Sequence, residues 1–223
     1  MKTAKKSSRK SAAAATDAAL RTAYMEYLLT HGTRPASVFK FCQDLGIQEE
    51  QFYSYAGSFD GLEQHIWTGF IDHVIGRLQG DAGFGGFSSR DKILTFYYAL
   101  LEELKSNRSF VLLQTDSVHR PSFVPAHLKG FKASFERFIE NTLSLGKDRG
   151  EVATRPLIDK RYPKLFWLHM GFILTFWKND NSADFEKTDA AVEKSVNLAF
   201  DLLGKGAVDS AIDFGKFLYQ TAR

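Results

Sequence analysis

The residues able to do covalent or metal chemistry are scattered through this sequence. Its six histidines stand at no spacing that closes a metal site, and Cys42 is the lone cysteine, so the chain holds neither a thiolate pair nor an internal disulfide. No His-Glu-x-x-His or Gly-x-Ser-x-Gly occurs. Glu102 and Glu103 are adjacent, which on a helix turns them to different directions. Asp180-x-Ser182-x-Asp184 begins like a calcium loop, but Phe185 and Ala191 stand where that loop needs glycine and a bidentate glutamate. Gly80-Asp81-Ala82-Gly83-Phe84-Gly85-Gly86 follows a helical pattern rather than a strand, so it reads as a connector and not a phosphate cradle. These patterns call for no metal, no cofactor and no enzyme.

What remains is the chemistry of recognition. Gln48, Gln51 and Ser54 lie on one short polar stretch, and a glutamine amide can pair with the edge of an adenine. Lys40, just upstream, can neutralise a phosphate. Ten N-terminal residues hold Lys2, Lys5, Lys6, Arg9 and Lys10 and no acid, whereas the net charge of the whole chain is +3. Such an arm can seek phosphate, and equally can serve as a solubilising terminus. Against recognition of nucleic acid, Glu49 and Glu50 sit beside the glutamines, and Arg34 and Lys40 are outnumbered by Asp44, Glu49, Glu50, Asp60 and Glu63. Affinity for DNA rests largely on phosphate neutralisation, so an acidic head counts against it. The same glutamates also suit the positive end of a helix dipole.

The elements that position these residues are helical. Leu20, Ala23, Tyr24, Tyr27 and Leu28 follow the i, i+3, i+4, i+7, i+8 pattern of a half-buried helix, with Gly32 as its stop. Pro35 opens a second helix that runs to Leu45, and Gly46 ends it. A third covers about 48–55. A long helix buries Leu62, Ile66, Trp67, Phe70, Val74 and Leu78. Beyond the glycine connector come apolar faces at Ile93 to Leu104, Leu128 to Thr142, Val192 to Leu203 and Val208 to Tyr219. The stretch from Leu165 to Trp177 is apolar nearly all round, so it must be covered on every side, yet it is too short to span a bilayer.

Three short helices, a long connecting helix and a helical body resemble the layout of TetR-family repressors. Ser37 to Ile47 looks like their second helix and turn, Gln48 to Tyr55 like their recognition helix, and Gly57 to Leu62 like the start of their fourth helix. The resemblance implies a helix-turn-helix in which Phe41, Cys42, Leu45, Ile47 and Phe52 face inward. It implies phosphate contacts from Ser37 and Tyr53, alongside Lys40. The sequence departs from the family in having Ala56 for an aromatic residue and Phe59 for a phosphate-binding lysine. A second, shorter resemblance links Trp177 to Phe185 with the C-terminal helices of lipid-binding ubiquinone-biosynthesis proteins, which share the fold without acting as repressors.

The expectation is an all-α, TetR-like protein: a basic arm at 1–16, a helix-turn-helix DNA-binding domain at 17–62, and a ligand-binding and dimerisation domain at 63–223. Its expected partners are double-stranded DNA, a small apolar ligand and a second copy of itself, in the cytoplasm and without membrane insertion. DNA-contacting residues would be Lys5, Lys6, Arg9, Lys10, Ser37, Lys40, Gln48, Gln51, Tyr53 and Ser54. Phe96, Tyr97, Leu100, Trp167, Met170 and Phe176 would line the ligand pocket. The alternative is a hydrophobic-ligand or lipid-binding protein of the same fold with altered or lost DNA binding. His169, within the apolar helix, reads as a core residue bonded to hydroxyl or backbone groups rather than as a ligand contact.

Overall fold

The computed structural model describes residues 17–115, 124–156, 158–204 and 206. Among them every regular element is helical, as the 3.6-residue spacing of apolar side chains requires. Lys5, Lys6, Arg9 and Lys10 lie outside the described residues, as does the amphipathic stretch 208–219. Backbone contacts divide the chain into one unit ending at Ile66 and another beginning at Trp67.

The first unit contains α1 (Asp17–His31), α2 (Val38–Leu45), α3 (Glu49–Tyr53) and the first turns of α4 (Phe59–Gly80). Ser37 starts α2: its side-chain oxygen accepts from the Lys40 amide at 3.1 Å, which satisfies one of the donors a helix start leaves open. The helix therefore begins at Val38, later than Pro35 suggested. Gly46 ends it at φ 70°, a left-handed conformation in which a Cβ is disfavoured. This turn lets the Ile47 amide reach back to the Cys42 carbonyl at 3.0 Å, closing α2 in the Schellman manner. Helix α3 is shorter than the expected 48–55 span.

Four rings hold this unit together. Phe41 stands edge-on to Tyr24 at 5.8 Å, to Phe59 at 5.7 Å and to Phe52 at 6.3 Å, and Tyr24 stacks on Phe59 at 5.3 Å. Such pairs add about 0.5–1.5 kcal/mol each beyond the area they bury. Phe59, at the place of the family's lysine, is thus a packing residue. Leu45, expected to face inward, is instead 38% exposed. A buried carboxylate supplies the second tie. Glu63 accepts from the Tyr24 hydroxyl at 2.8 Å and from Arg34 at 3.0 and 2.6 Å, while Arg34 also reaches Asp60 at 2.7 Å. Burial, reinforced by the bond to Glu63, pushes the Tyr24 phenol far up, so it stays a donor.

The second unit contains the rest of α4, then α5 (Ser89–Ser106), α6 (Arg108–Thr115), α7 (Lys129–Asp148), α8 (Tyr162–Asn179) and α9 (Glu186–Leu203). Helix α6 is too short for its periodicity to have stood out in the sequence. The expected apolar faces of α4, α5 and α7 are buried. Phe96 of α5 stacks on Phe138 of α7 at 4.4 Å, with Phe135 at 5.8 Å. Gly146 permits this approach, since a Cβ there would collide with the Ser89 hydroxyl.

Helix α8 turns back into α9 through a strained corner in which Asp184 and Phe185 take positive φ (48° and 64°). Asp180 braces it, accepting from the amides of Ser182 (2.8 Å) and Thr188 (2.9 Å) and from both hydroxyls (2.6 and 2.7 Å). These bonds hold its carboxyl below the usual carboxylate range. Arg108 lies 4.3 Å from the Trp177 ring and 4.5 Å from that of Phe185 and donates to the last carbonyls of α8.

Among the described residues of one chain, α8 is covered on one face only. Tyr162, Phe166, Met170, Ile173 and Trp177 face inward. Leu165, Leu168, Phe172 and Phe176 are 54%, 50%, 50% and 37% exposed, and on α9 Leu198 and Leu202 are 60% and 51% exposed. Among the described residues no element of the same chain covers this stripe.

Candidate functional site

The outward residues of the first unit form a short reading surface. Gln48, Tyr53 and Ser54 are exposed, and Gln51 is half-buried. Several of the expected contacts already have partners. The Gln51 side-chain oxygen accepts from the Gln48 amide at 3.0 Å, so it caps α3, and a bidentate bond to adenine would require that cap to open. Ser54 donates to the Gln51 carbonyl at 2.8 Å. Lys40 pairs with Asp44 at 2.8 Å. Arg34 is held by Glu63 and Asp60, so it and Lys40 each face a carboxylate. Glu49 and Glu50 sit in the first turn of α3, where the helix dipole favours them. Cys42 is buried behind this surface, which pushes its thiol up and leaves it unreactive.

In the second unit a cavity of about 250 Å³ lies between the start of α8 and the end of α9. Tyr162, Leu165, Phe166 and His169 form one wall, and Ala199 and Leu202 another. Arg155, buried in the loop before α8, closes the end. Its guanidinium donates to the carbonyls of Leu202 (3.0 Å), Leu203 (3.3 Å) and Gly204 (2.6 Å) and to the Tyr162 hydroxyl (3.3 Å). It thereby satisfies carbonyls that the end of a helix leaves open.

None of the six residues expected to line a pocket borders this cavity. Phe96, Tyr97, Leu100 and Met170 are fully buried in the packed core. Trp167 packs edge-on against Phe131 and Phe135 at 6.2 and 6.0 Å. Phe176 borders a second, more polar opening with Phe172, Asn179 and Lys187. Arg155, Tyr162, Ala199 and Leu202 escaped the sequence reading. The aromatic density on α5 drew it away from the α8–α9 ends, and nothing in the spacing marks a loop arginine.

His169 borders the cavity but turns its polar atoms inward. The Tyr97 hydroxyl lies 2.7 Å from Nδ1, and Nε2 lies 2.8 Å from Ser195 Oγ, which donates to the Ala191 carbonyl at 2.6 Å. With Ser195 donating to a carbonyl, Nε2 donates to Ser195, and in the neutral ring Nδ1 accepts from the Tyr97 hydroxyl. Burial pushes the imidazole down to about 4, from an ordinary value near 6.5. Because the folded value is the lower one, the stabilisation is present above about pH 6.5 and is lost as pH falls toward 4. Denaturant unfolding across this range should show stability declining with acid, and His169→Gln should flatten that decline. An unchanged pH profile in the variant would contradict the assignment.

Among the described residues, no helix is long and apolar enough to cross a membrane, and no group of three or more His, Cys, Asp or Glu side chains could hold a metal ion. Comparison with known proteins gives a consistent picture. The family profile described as tetracyclin repressor-like, C-terminal domain, matches residues 92–218. A bacterial regulatory protein in the tetR family from Rhodococcus RHA1 superposes with a TM-score of 0.53 at 16% identity, over 89% of this chain and 100% of its own. A protein of unknown function from Rhodococcus sp. RHA1 superposes with a TM-score of 0.56 at 11% identity, over 91% and 100%. A protein assigned to the tetR family of transcription regulators, from Shewanella sp. PV-4, gives 0.51 at 12%, over 82% and 95%. At such identities the likeness concerns the fold. No curated protein matches the chain.

Proposed function

We propose, since the chain belongs to the tetracyclin-repressor-like (TetR) family, that it is a non-enzymatic, cytoplasmic transcriptional regulator which binds DNA as a homodimer and responds to a small apolar ligand. The observation that carries this reading is the α2–Gly46–α3 turn. It is a helix-turn-helix closed by a left-handed glycine, with polar side chains of α3 directed outward as major-groove reading requires. Gln48, Gln51, Tyr53 and Ser54 are the proposed contacts on this surface, with Ser37 and Lys40 at the phosphates and Lys5, Lys6, Arg9 and Lys10 supplying attraction from the arm. The second unit supplies the dimer face, through the exposed stripe of α8 and α9, and the ligand cavity. A ligand that prefers one arrangement of the dimer shifts DNA affinity by as much as it discriminates between arrangements.

One observation favours the second reading, a hydrophobic-ligand protein that has lost DNA binding: Arg34 and Lys40 are paired with carboxylates, and Glu49 and Glu50 stand at the front of α3. Salt dependence separates the two. The intact protein should bind genomic DNA fragments, with affinity falling steeply as salt rises. Deleting Met1 to Lys10 removes five cations. If two or three of them touch phosphates, the slope of log affinity against log salt should shrink by about 2–3. Sequence preference should persist, because phosphate contacts position while base contacts specify. Absence of binding to any fragment at low salt would remove the DNA reading and leave the ligand-binding one.

A further inference from the structure

We infer that the cavity between α8 and α9 is completed by the second copy of this chain, so that an apolar ligand seated there ties dimer strength to ligand occupancy. The inference rests on the dimer and ligand readings just proposed and adds how they are linked.

Two residues belong to both features. Leu165 and Leu202 line the cavity, and they are 54% and 51% exposed. The cavity mouth therefore lies on the same face as Leu168, Phe172, Phe176 and Leu198. Six half-exposed side chains put on the order of 600 Å² of apolar surface on one face, the upper end of what a soluble monomer's largest patch carries. It approaches the roughly 800 Å² per partner of a standard stable interface. A second copy is the occupant that matches such a face in chemistry, since apolar stripes on α8 and α9 meet their own equivalents across a two-fold axis. Once that face closes, the mouth closes with it.

The lining defines the ligand class. The polar atoms at the wall have protein partners: Arg155 on the carbonyls of Leu202, Leu203 and Gly204 and on Tyr162, and His169 on Tyr97 and Ser195. What the cavity offers a guest is aliphatic and aromatic carbon. The ligand is a neutral, apolar molecule, smaller than the occupants of typical pockets of about 300–1,000 Å³. Among the described residues nothing of the same chain covers one side of it. In the dimer that side is covered, and affinity rises about tenfold per site for a modest area removed from water. By reciprocity the ligand must then tighten the dimer.

The neutral fluorescent probe N-phenyl-1-naphthylamine tests this with the full chain. Sedimentation equilibrium with and without saturating probe should show dimer dissociation weakened about a hundredfold, since each dimer seals two sites. Leu198→Asp places a charge on the face without touching the cavity lining, at a position exposed enough to leave folding intact by circular dichroism. It should be monomeric and bind the probe about tenfold more weakly. Ala199→Phe fills the cavity and should dimerise without responding to the probe. A dimer whose strength ignores saturating probe, a dimer that takes up none, or a Leu198→Asp monomer that binds it as tightly as the dimer does would each overturn the inference while leaving the dimer reading standing. A wild-type chain that stays monomeric with and without probe would overturn both.

Discussion

Replacing Leu168 and Phe172 together with aspartate should leave a folded monomer. Both side chains are half exposed in the isolated chain, so the substitution removes little from the core of the second unit and its helical melting should hardly move. In a two-fold interface each residue appears twice, so two substitutions place four carboxylates in an apolar seam. Burying an unpaired charge carries a penalty of several kcal/mol. The dimer dissociation constant should therefore rise by at least about a thousandfold, 4 kcal/mol or more. Size-exclusion chromatography with light scattering reads the mass, and circular dichroism checks the fold. A double variant that still runs as a dimer at micromolar concentration would place the interface on another face, and would take with it the proposed closure of the cavity.

The second large effect is expected at Glu63, in the first unit. Glu63 is 1% exposed, and its carboxylate receives the Tyr24 hydroxyl and two Arg34 nitrogens. Glu63→Ala leaves a buried hydroxyl without that acceptor and takes two charge-assisted bonds from a guanidinium that is itself about half exposed. The expected loss is about 2–4 kcal/mol, discounted because solvent and Asp60 still serve Arg34. That is a large share of what holds a unit of this size, so the reading surface should melt well before the second unit. Tyr24→Phe should cost only about 1 kcal/mol, and combining it with Glu63→Ala should cost less than the sum, because the stranded hydroxyl is then gone. Thermal unfolding followed by circular dichroism, with DNA binding in parallel, separates these outcomes. Additive losses would mean that the hydroxyl and the carboxylate do not act as one tie.

Much of the first unit was legible in the sequence because its determinants are local. Gly46 predicted its own left-handed turn, and Phe41, Cys42 and Phe52 predicted their burial, since an inward position on a short helix leaves few alternatives. Ser37 is the instructive case. Its place before an apolar run marks a helix start, yet Pro35 drew the boundary earlier, and only the bond from the Lys40 amide shows which residue caps. Gln51 likewise reads as a base contact by type and spacing, whereas in the structure its oxygen caps the helix it belongs to.

By itself the sequence determined that this chain is helical, where the long helices run, that one glycine turn joins α2 to α3, and that α8 carries more apolar surface than a single helix can easily cover. Each of these depends on residue type and on spacing within about one helical turn. Tertiary structure alone decided which apolar faces meet. Periodicity identifies the apolar face of a helix but not the element that covers it. Phe96 and Phe135, and likewise Leu165 and Leu202, are all apolar residues at helical spacing. The first pair disappears into a packed core because Gly146 lets α7 approach α5. The second pair stays open and frames the cavity because no element of the same chain covers the outer side of α8 and α9 among the described residues.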